Sequence, residues 1–126
     1  MILIIGGRYQ GKLEYARRRF GLADDEIQVC DEQTVAPDPD RRCIAYIDRY
    51  ALNRVRAGAE PLDFFEAHWD RLRDAILIAN DVSCGVVPTD PVLRAWREAC
   101  GRMNAALAQR ADEVWRLFCG IPQRLK

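Results

Sequence analysis

The chain has 126 residues, which is the usual size of one folded domain and too short for two. Apolar residues make up 49% of it and charged residues 30%, a balance that is typical of a globular protein and excludes a disordered chain. The 19 basic and 19 acidic side chains cancel, so the net charge gives no reason to expect a nucleic acid or an anionic membrane as a partner.

The apolar and cysteine patterns exclude two further classes. No apolar run approaches the roughly 20 residues that span a bilayer, and residues 1–5 lack the basic region and cleavage site of a signal peptide. The five cysteines are odd in number and contain no Cys-x-x-Cys pair, which argues against a disulfide framework or a zinc site. We therefore expect a cytoplasmic protein whose cysteines are reduced and mostly buried.

The first twenty residues predict a strand, a loop and a helix. Residues 2–5 are all apolar, as in a strand of a parallel sheet that is covered on both faces. Gly6 and Gly7 end this strand, and the spacing of apolar residues predicts a helix from about Gly11 to Phe20. Gly21 follows as the expected end of that helix.

The next segment predicts two strands that are separated by a loop. Residues 27–30 favour a second strand, and the Pro- and Asp-rich residues 34–42 favour a loop. Residues 43–47 favour a third strand, which we expect to end at Asp48.

The second half continues the alternation of helices and strands. The patterns predict, in order, a helix to about residue 57, an amphipathic helix at 62–73, a strand at 75–79, a helix at 91–110 and a strand at 113–119. Asp90 followed by Pro91 predicts the start of the long helix, because aspartate caps helices and proline fits their first position. The alternation predicts one α/β domain over residues 1–126, with a mostly parallel sheet of about five strands and helices on both faces.

A phosphate-binding loop is predicted between the first strand and the first helix. Residues 6–12 fit the spacing G-x-x-x-x-G-K, in which backbone N–H groups surround a phosphate and the lysine bridges the terminal phosphates. Lys12 is one of only two lysines beside 17 arginines, which favours a specific use of lysine here. The alternative is a glycine-rich turn without a ligand. The predicted nucleotide-binding residues are Gly6, Gly7, Arg8, Tyr9, Gln10, Gly11, Lys12 and Leu13.

The residue after the lysine departs from this motif. Serine or threonine normally supplies a hydroxyl to Mg²⁺ there, and the isobutyl group of Leu13 cannot ligate a hard cation. We therefore expect GTP or ATP as cofactor, with a weakened Mg²⁺ site.

Three segments of the second half carry a family resemblance. Ile76–Pro88 reads as a strand followed by Asn-Asp-Val and Gly-Val-Val-Pro, Arg94–Asn104 as a helix with spaced arginines, glycine and asparagine, and Ala111–Trp115 as a last strand. In this order they resemble the adenosylcobinamide kinase/guanylyltransferase family of cobalamin biosynthesis. With the phosphate loop, the resemblance covers most of residues 1–22 and 43–126. It implies a three-layer P-loop NTPase (RecA-like) fold.

The resemblance also implies roles for single residues. Lys12 and Asp81 would be catalytic, and Asp48 would stand where the family has an acidic residue associated with Mg²⁺. From the residues alone, Asp48 is equally well a structural carboxylate at the end of a strand, and Asp81 a turn residue.

One element of the family is missing from this sequence. The family attaches GMP to a histidine in a helical segment between the second and third strands, and here that segment is a short loop without histidine. The one histidine, His68, lies on the predicted 62–73 helix, where we expect a packing or surface role.

Three functions stay open from the sequence. The first is a kinase or transferase that acts on the aminopropanol arm of a corrinoid (cobinamide). The second is a catalytically inactive family member that binds nucleotide and acts as a regulatory or scaffold protein. The third is an unrelated phosphotransferase on the same fold. Exposed aromatic residues on the 62–73 helix and the family's habit of assembly suggest a homo-oligomer.

Overall fold

Helices and strands alternate along the chain. The structure is a computed structural model that describes residues 1–126. Its elements are β1 (Ile2–Gly6), α1 (Lys12–Phe20), β2 (Ile27–Val29), β3 (Cys43–Ala45), α2 (Ile47–Arg56), α3 (Leu62–Ala67), β4 (Ile76–Asn80), α4 (Pro91–Arg110), β5 (Glu113–Phe118) and β6 (Ile121–Arg124). A 3₁₀ turn at Asp24–Glu26 precedes β2.

The six strands form one sheet in the order β2-β3-β4-β1-β5-β6. All neighbouring pairs are parallel except β5 and β6, which pair in antiparallel fashion. β1 therefore lies in the middle of the sheet, between β4 and β5. The carboxyl ends of the five parallel strands meet at one edge, which is where sheets of this class bind ligands.

Successive residues of each strand point to opposite faces of the sheet, and both faces are covered. Leu3, Ile44 and Leu77 belong to a core shared with α2, α3 and α4, whereas the adjacent residues Ile4 and Ile78 belong to a core shared with α1. The sheet is thus the middle of three layers, and the predicted P-loop NTPase fold is confirmed.

Two predicted helix ends are confirmed in detail. Gly21 adopts a left-handed conformation (φ 60°) and its N–H donates to the carbonyl of Arg17, as expected where a helix ends in glycine. The carboxylate of Asp90 accepts hydrogen bonds from the backbone N–H groups of Val92 and Leu93, at 2.7 and 3.0 Å.

The end predicted for the third strand was wrong. β3 ends at Ala45, and Tyr46 takes a left-handed conformation (φ 60°) that turns the chain directly into α2. Asp48 therefore lies in the first turn of a helix. A negative charge is favourable there because the free N–H groups of a helix start carry partial positive charge.

The helix predicted over residues 62–73 was too long, and its aromatic residues are not exposed. α3 ends at Ala67, and hydrogen-bonded turns continue the chain to β4. Phe65 is fully buried, while Phe64 and Trp69 pack against the same core. These aromatics therefore give no support for a homo-oligomer, which stays a prediction.

The sequence did not predict the sixth strand. Cys119 and Gly120 both have positive φ angles (49° and 76°) and form a two-residue turn between β5 and β6. Three cysteines are buried as expected, whereas Cys84 and Cys119 are exposed. None of the helices has both the length and the apolar character that crossing a membrane requires.

Candidate functional site

The loop between β1 and α1 leaves the sheet through a tight contact. An ideal Cβ atom on Gly6 would lie 2.4 Å from the carbonyl oxygen of Leu117 on β5, so only glycine fits at this point. Gly11 precedes α1 in a left-handed conformation (φ 81°), with the N–H groups of the first turn behind it. The predicted strand, loop and helix thus stand in the order that a phosphate loop requires.

Lys12, the first residue of α1, is almost completely buried at the base of this loop. Its residue exposure is 3%, and its Nζ donates to the carbonyl oxygen of Gly7 at 2.6 Å and to Oδ1 of Asn80 at 2.8 Å. Burial lowers the pKa of Lys12, and the nearby carboxylate of Asp48 opposes this effect. The ammonium group is thus fixed between the loop and the end of β4.

Asn80 reaches Lys12 because β1 and β4 are neighbours. Their register pairs Gly6 with Asn80, so the last residue of β4 stands beside the first residue of the loop. The backbone N–H of Asn80 donates to Oδ1 of Asp48 at 2.9 Å, and its Nδ2 donates to Oδ2 at 3.0 Å. The sequence did not predict a role for Asn80. The feature that could have indicated a role is the position of Asn80 directly before Asp81, at the end of an apolar strand.

A cavity of about 530 Å³ opens in front of the loop. Three arginines, Arg8, Arg17 and Arg49, and Lys12 line it, against the single carboxylate of Glu14. Its other lining residues are Tyr9, Gln10, Gly11, Leu13, Tyr46 and Asn80. An excess of positive charge beside a helix start suits a polyanion such as a nucleotide's phosphates.

The two bulky residues inside the loop have different environments. Tyr9 is fully exposed and has a left-handed backbone (φ 59°). The side-chain oxygen of Gln10 accepts a hydrogen bond from the backbone N–H of Cys119 at 2.5 Å. Gln10 thus ties the loop to the turn between β5 and β6.

A second cavity, of about 430 Å³, shares Arg8 and Arg49 with the first. The remaining residues that line it are Asp31, Glu32, Gln33, Leu52 and Trp96. The guanidinium of Arg49 lies 5.0 Å from the centre of the Tyr46 ring, at the boundary between the two cavities. The arrangement therefore offers two adjoining spaces that are separated by arginines.

Asp81 lies next to the loop but does not line either of these cavities. Its N–H donates to the carbonyl of Gly6 at 2.9 Å. Its carboxylate accepts hydrogen bonds from the N–H and hydroxyl of Ser83 and from the thiol of Cys84. Burial acts to raise the pKa of Asp81, but the hydrogen bonds from Ser83 and Cys84 outweigh it, so the pKa is lower than usual.

The side chains near Lys12 do not fit a Mg²⁺ ion that the protein itself holds. Asp48 has no exposed surface, and both of its oxygens accept hydrogen bonds from Asn80. Leu13 supplies no oxygen, and no group of three or more His, Cys, Asp or Glu side chains is placed to bind a metal. The metal role of Asp48 stays a prediction, and it would require the buried carboxylate to become accessible to an ion.

His68 lies outside both cavities. It directly follows the last residue of α3, and its Nδ1 lies 2.7 Å from the carbonyl oxygen of Phe64. Its ring packs on the Phe64 ring, with 4.5 Å between the ring centres. These contacts give it a packing role.

Comparisons with known proteins identify the family of the chain, on a stretch that follows the loop and Lys12. A family model described as cobinamide kinase / cobinamide phosphate guanyltransferase matches residues 44–125, more than half of the chain. The bifunctional adenosylcobalamin biosynthesis protein CobU of Salmonella typhimurium is 41% identical over 51 residues. That of Escherichia coli is 39% identical over the same length. The matched stretch is 40% of this chain but only 28% of each relative. On the family match, the chain belongs to the cobinamide kinase / cobinamide phosphate guanyltransferase family.

Proposed function

We propose that the chain binds GTP or ATP in the 530 Å³ cavity, with the terminal phosphates over the loop that ends at Lys12. The observation that carries this proposal is the Lys12 ammonium, which is held by two oxygen acceptors at the start of a helix beneath a cavity with three arginines. Backbone N–H groups of a helix start and a fixed cation together stabilise phosphate charge.

We further propose a kinase reaction, in which the oxygen of an acceptor hydroxyl group attacks the terminal phosphorus of the nucleotide. The bond from that phosphorus to the bridging oxygen breaks, the nucleoside diphosphate leaves, and the hydroxyl proton passes to solvent. Catalysis of this reaction depends on positioning and on cations that stabilise the charge of the transferred group. Lys12, Arg8 and Arg49 are the groups available for this purpose. The acceptor would occupy the 430 Å³ cavity, because it adjoins the first cavity across Arg8 and Arg49. The family supports the aminopropanol arm of a cobinamide as the acceptor.

Mg²⁺ and Asp81 are two further predicted contributors to the reaction. Mg²⁺ would arrive bound to the nucleotide phosphates, at a site that is weakened because Leu13 offers no oxygen. Asp81 would order the loop that follows β4, because its carboxylate accepts hydrogen bonds from Ser83 and Cys84. A direct part of Asp81 in catalysis stays a prediction.

Guanylyl transfer is less well supported than phosphoryl transfer. The loop between β2 and β3 contains no histidine to carry GMP, and His68 packs on Phe64 away from both cavities. Together with Leu13, this loss favours a second candidate function, a catalytically inactive member that binds nucleotide as a regulatory or scaffold protein. Phosphorylation of cobinamide by the purified protein, followed by mass spectrometry, separates the two: phosphocobinamide supports the kinase and its absence supports the second function.

Nucleotide binding itself is tested by thermal unfolding with GTP and with ATP, each in Mg²⁺ and in EDTA. Ligand at a hundred times its dissociation constant adds about 2.7 kcal/mol, which for a chain of this size raises the midpoint by roughly 10 °C. We expect Lys12→Ala to abolish the rise. Arg18→Ala, an exposed cation of the same helix outside the cavity, should retain it. No rise with either nucleotide, or the same rise in Lys12→Ala, would refute the proposal.

The homo-oligomer and the cytoplasmic location stay predictions. Three exposed apolar side chains of the β5–β6 region, Phe118, Ile121 and Leu125, are available for contact between copies. Size-exclusion chromatography with light scattering tests the assembly, and a mass of one chain at micromolar concentration would contradict it.

A further inference from the structure

Three buried polar residues from three different elements form one connected chain of hydrogen bonds. Asp48 of α2 is fully buried, and Asn80 of β4 and Lys12 of α1 are each 3% exposed. Asp48 accepts both N–H groups that Asn80 offers it, and Asn80 in turn accepts the Lys12 ammonium. Asp48 does not line the 530 Å³ cavity itself and is connected to it through Asn80, which does.

We infer that Asp48 is a positioning residue, which orients Asn80 so that Asn80 holds the Lys12 ammonium under the phosphate loop, and that it is not a direct ligand of Mg²⁺. The expected effect of Asp48 on nucleotide affinity rests on the nucleotide site proposed above. The arrangement of the three side chains does not depend on that proposal.

The direction of the Asn80 amide follows from the chemistry of its neighbours. A side-chain amide has an oxygen and an NH₂ group of nearly the same shape, so its packing does not decide which way it points. An ionised carboxylate only accepts hydrogen bonds, and an ammonium only donates them. Asp48 therefore attracts the NH₂ of Asn80, and this turns Oδ1 of Asn80 toward Lys12. Without Asp48, only the Lys12 ammonium would distinguish the two orientations of the amide.

The same bonds make direct metal ligation by Asp48 costly. Asp48 has no exposed surface, so an ion would reach its carboxylate only if the Asn80 side chain moved away and its NH₂ lost the hydrogen bond to Asp48. A buried donor without a partner destabilises the folded state. The backbone of Asp48 is also held, because Trp96 of α4 donates its indole N–H to the Asp48 carbonyl at 2.7 Å.

Nucleotide affinity with and without metal separates positioning from ligation. The variants are Asp48→Asn and Asn80→Ala, with Asp74→Asn as the matched control, since Asp74 is an exposed carboxylate at the opposite end of β4. The dissociation constant of a fluorescent GTP analogue is measured in Mg²⁺ and in EDTA. We expect Asp48→Asn to weaken binding about tenfold in both buffers, the size of losing a hydrogen bond to a charged group. Asp74→Asn should bind as the unmodified protein does.

A variant that carries both Asp48→Asn and Asn80→Ala provides a second test of the same proposal. If Asp48 acts through Asn80, the variant with both substitutions should bind no more weakly than Asn80→Ala alone, because coupled residues are not additive. A loss confined to Mg²⁺ would overturn the inference and make Asp48 a metal ligand. Two losses that multiply would also overturn it, because they would show that Asp48 does not act through Asn80.

A measurement without nucleotide tests the same chain of hydrogen bonds. The protein has only two lysines, so acetylation of Lys12 can be compared with that of Lys126 in one mass spectrum. We expect Lys12 to react several times faster relative to Lys126 in Asp48→Asn and in Asn80→Ala, since both weaken or remove one of the two hydrogen bonds that hold its ammonium group. An unchanged ratio in EDTA would overturn the inference.

The two measurements also separate this inference from the proposed function. If the unmodified protein binds neither nucleotide, the proposed function fails, and the acetylation ratio still decides whether Asp48 and Asn80 hold Lys12. Asn80→Ala keeps the buried Asp48 and the backbone N–H that donates to it. If Asp48→Asn lowers the folded fraction, Asn80→Ala therefore still provides the affinity and the acetylation ratio that test the inference.

Discussion

A methyl group on Gly6 should strain the contact between β1 and β5. An ideal Cβ atom there lies 2.4 Å from the carbonyl oxygen of Leu117 and 3.3 Å from its carbon. Carbon and oxygen atoms that are not bonded normally approach to about 3.3 Å, so Gly6→Ala requires the two strands to move apart by nearly 1 Å. Both are interior strands of the sheet, and β1 is also hydrogen-bonded to β4, so little movement is free.

The expected cost follows from overpacking in other protein cores, which is about 1–3 kcal/mol. Unfolding of a chain of 126 residues carries an entropy of roughly 0.26 kcal/mol/K, at about 2.1 cal/mol/K per residue. Gly6→Ala should therefore lower the midpoint of thermal unfolding, followed by circular dichroism, by about 4–11 °C.

A second glycine provides the matched control. Gly101 lies inside α4, and a Cβ atom there meets no atom within 4 Å. Alanine is about 1 kcal/mol more favourable than glycine inside a helix, so Gly101→Ala should leave the midpoint unchanged or raise it by up to about 4 °C. Equal midpoints for Gly6→Ala and the unmodified protein would show that the contact between β1 and β5 does not exclude a side chain at position 6.

Three further changes test other parts of the structure. Leu13→Ser should strengthen nucleotide binding in Mg²⁺ and leave it unchanged in EDTA, because the hydroxyl supplies the missing oxygen ligand. At pH 8, Ellman's reagent should quickly modify only Cys84 and Cys119, because burial raises the pKa of the other three thiols far above that pH. Of these two, Cys84 should react more slowly, because its hydrogen bond to a carboxylate raises its pKa. Arg97→Ala should speed amide exchange in the loop after β4, where Arg97 donates to three carbonyl groups, whereas Arg94→Ala should not.

Each of these predictions has an outcome that would contradict it. Unchanged affinity of Leu13→Ser in Mg²⁺ would argue that the missing hydroxyl is not what weakens the Mg²⁺ site. A third thiol that reacts quickly in the folded protein would contradict the burial of the cysteine side chains. Equal exchange rates in Arg97→Ala and Arg94→Ala would show that the loop is not held by Arg97.

Local sequence signals predicted the elements that carry the loop. The apolar residues 2–5, the glycines of the loop and the pair Asp90-Pro91 each act through neighbouring residues, so their structure follows from short stretches of chain. The α3 region shows the limit of such signals. Leu72 continues the helical spacing of apolar residues and is fully buried, yet turns rather than a helix bring it to the core. A periodic pattern predicts burial more directly than it predicts helix.

Long-range pairing decided what the sequence could not show. Asn80 reaches Lys12 only because the register of β1 and β4 sets Gly6 beside Asn80, and nothing in the local sequence fixes that register. In the same way, the left-handed turn at Tyr46 moves Asp48 from a strand into a helix and directs its carboxylate at Asn80. Contacts between site residues on separate elements therefore could not be predicted without the fold.

A crystal structure with a non-hydrolysable GTP analogue is the direct test of nucleotide phosphates binding over Lys12. We expect terminal phosphate oxygens within about 3 Å of the Lys12 ammonium and of the backbone N–H groups of the loop, the usual length of such hydrogen bonds. A structure at saturating analogue in which the nucleotide lies elsewhere or is absent would contradict the proposal.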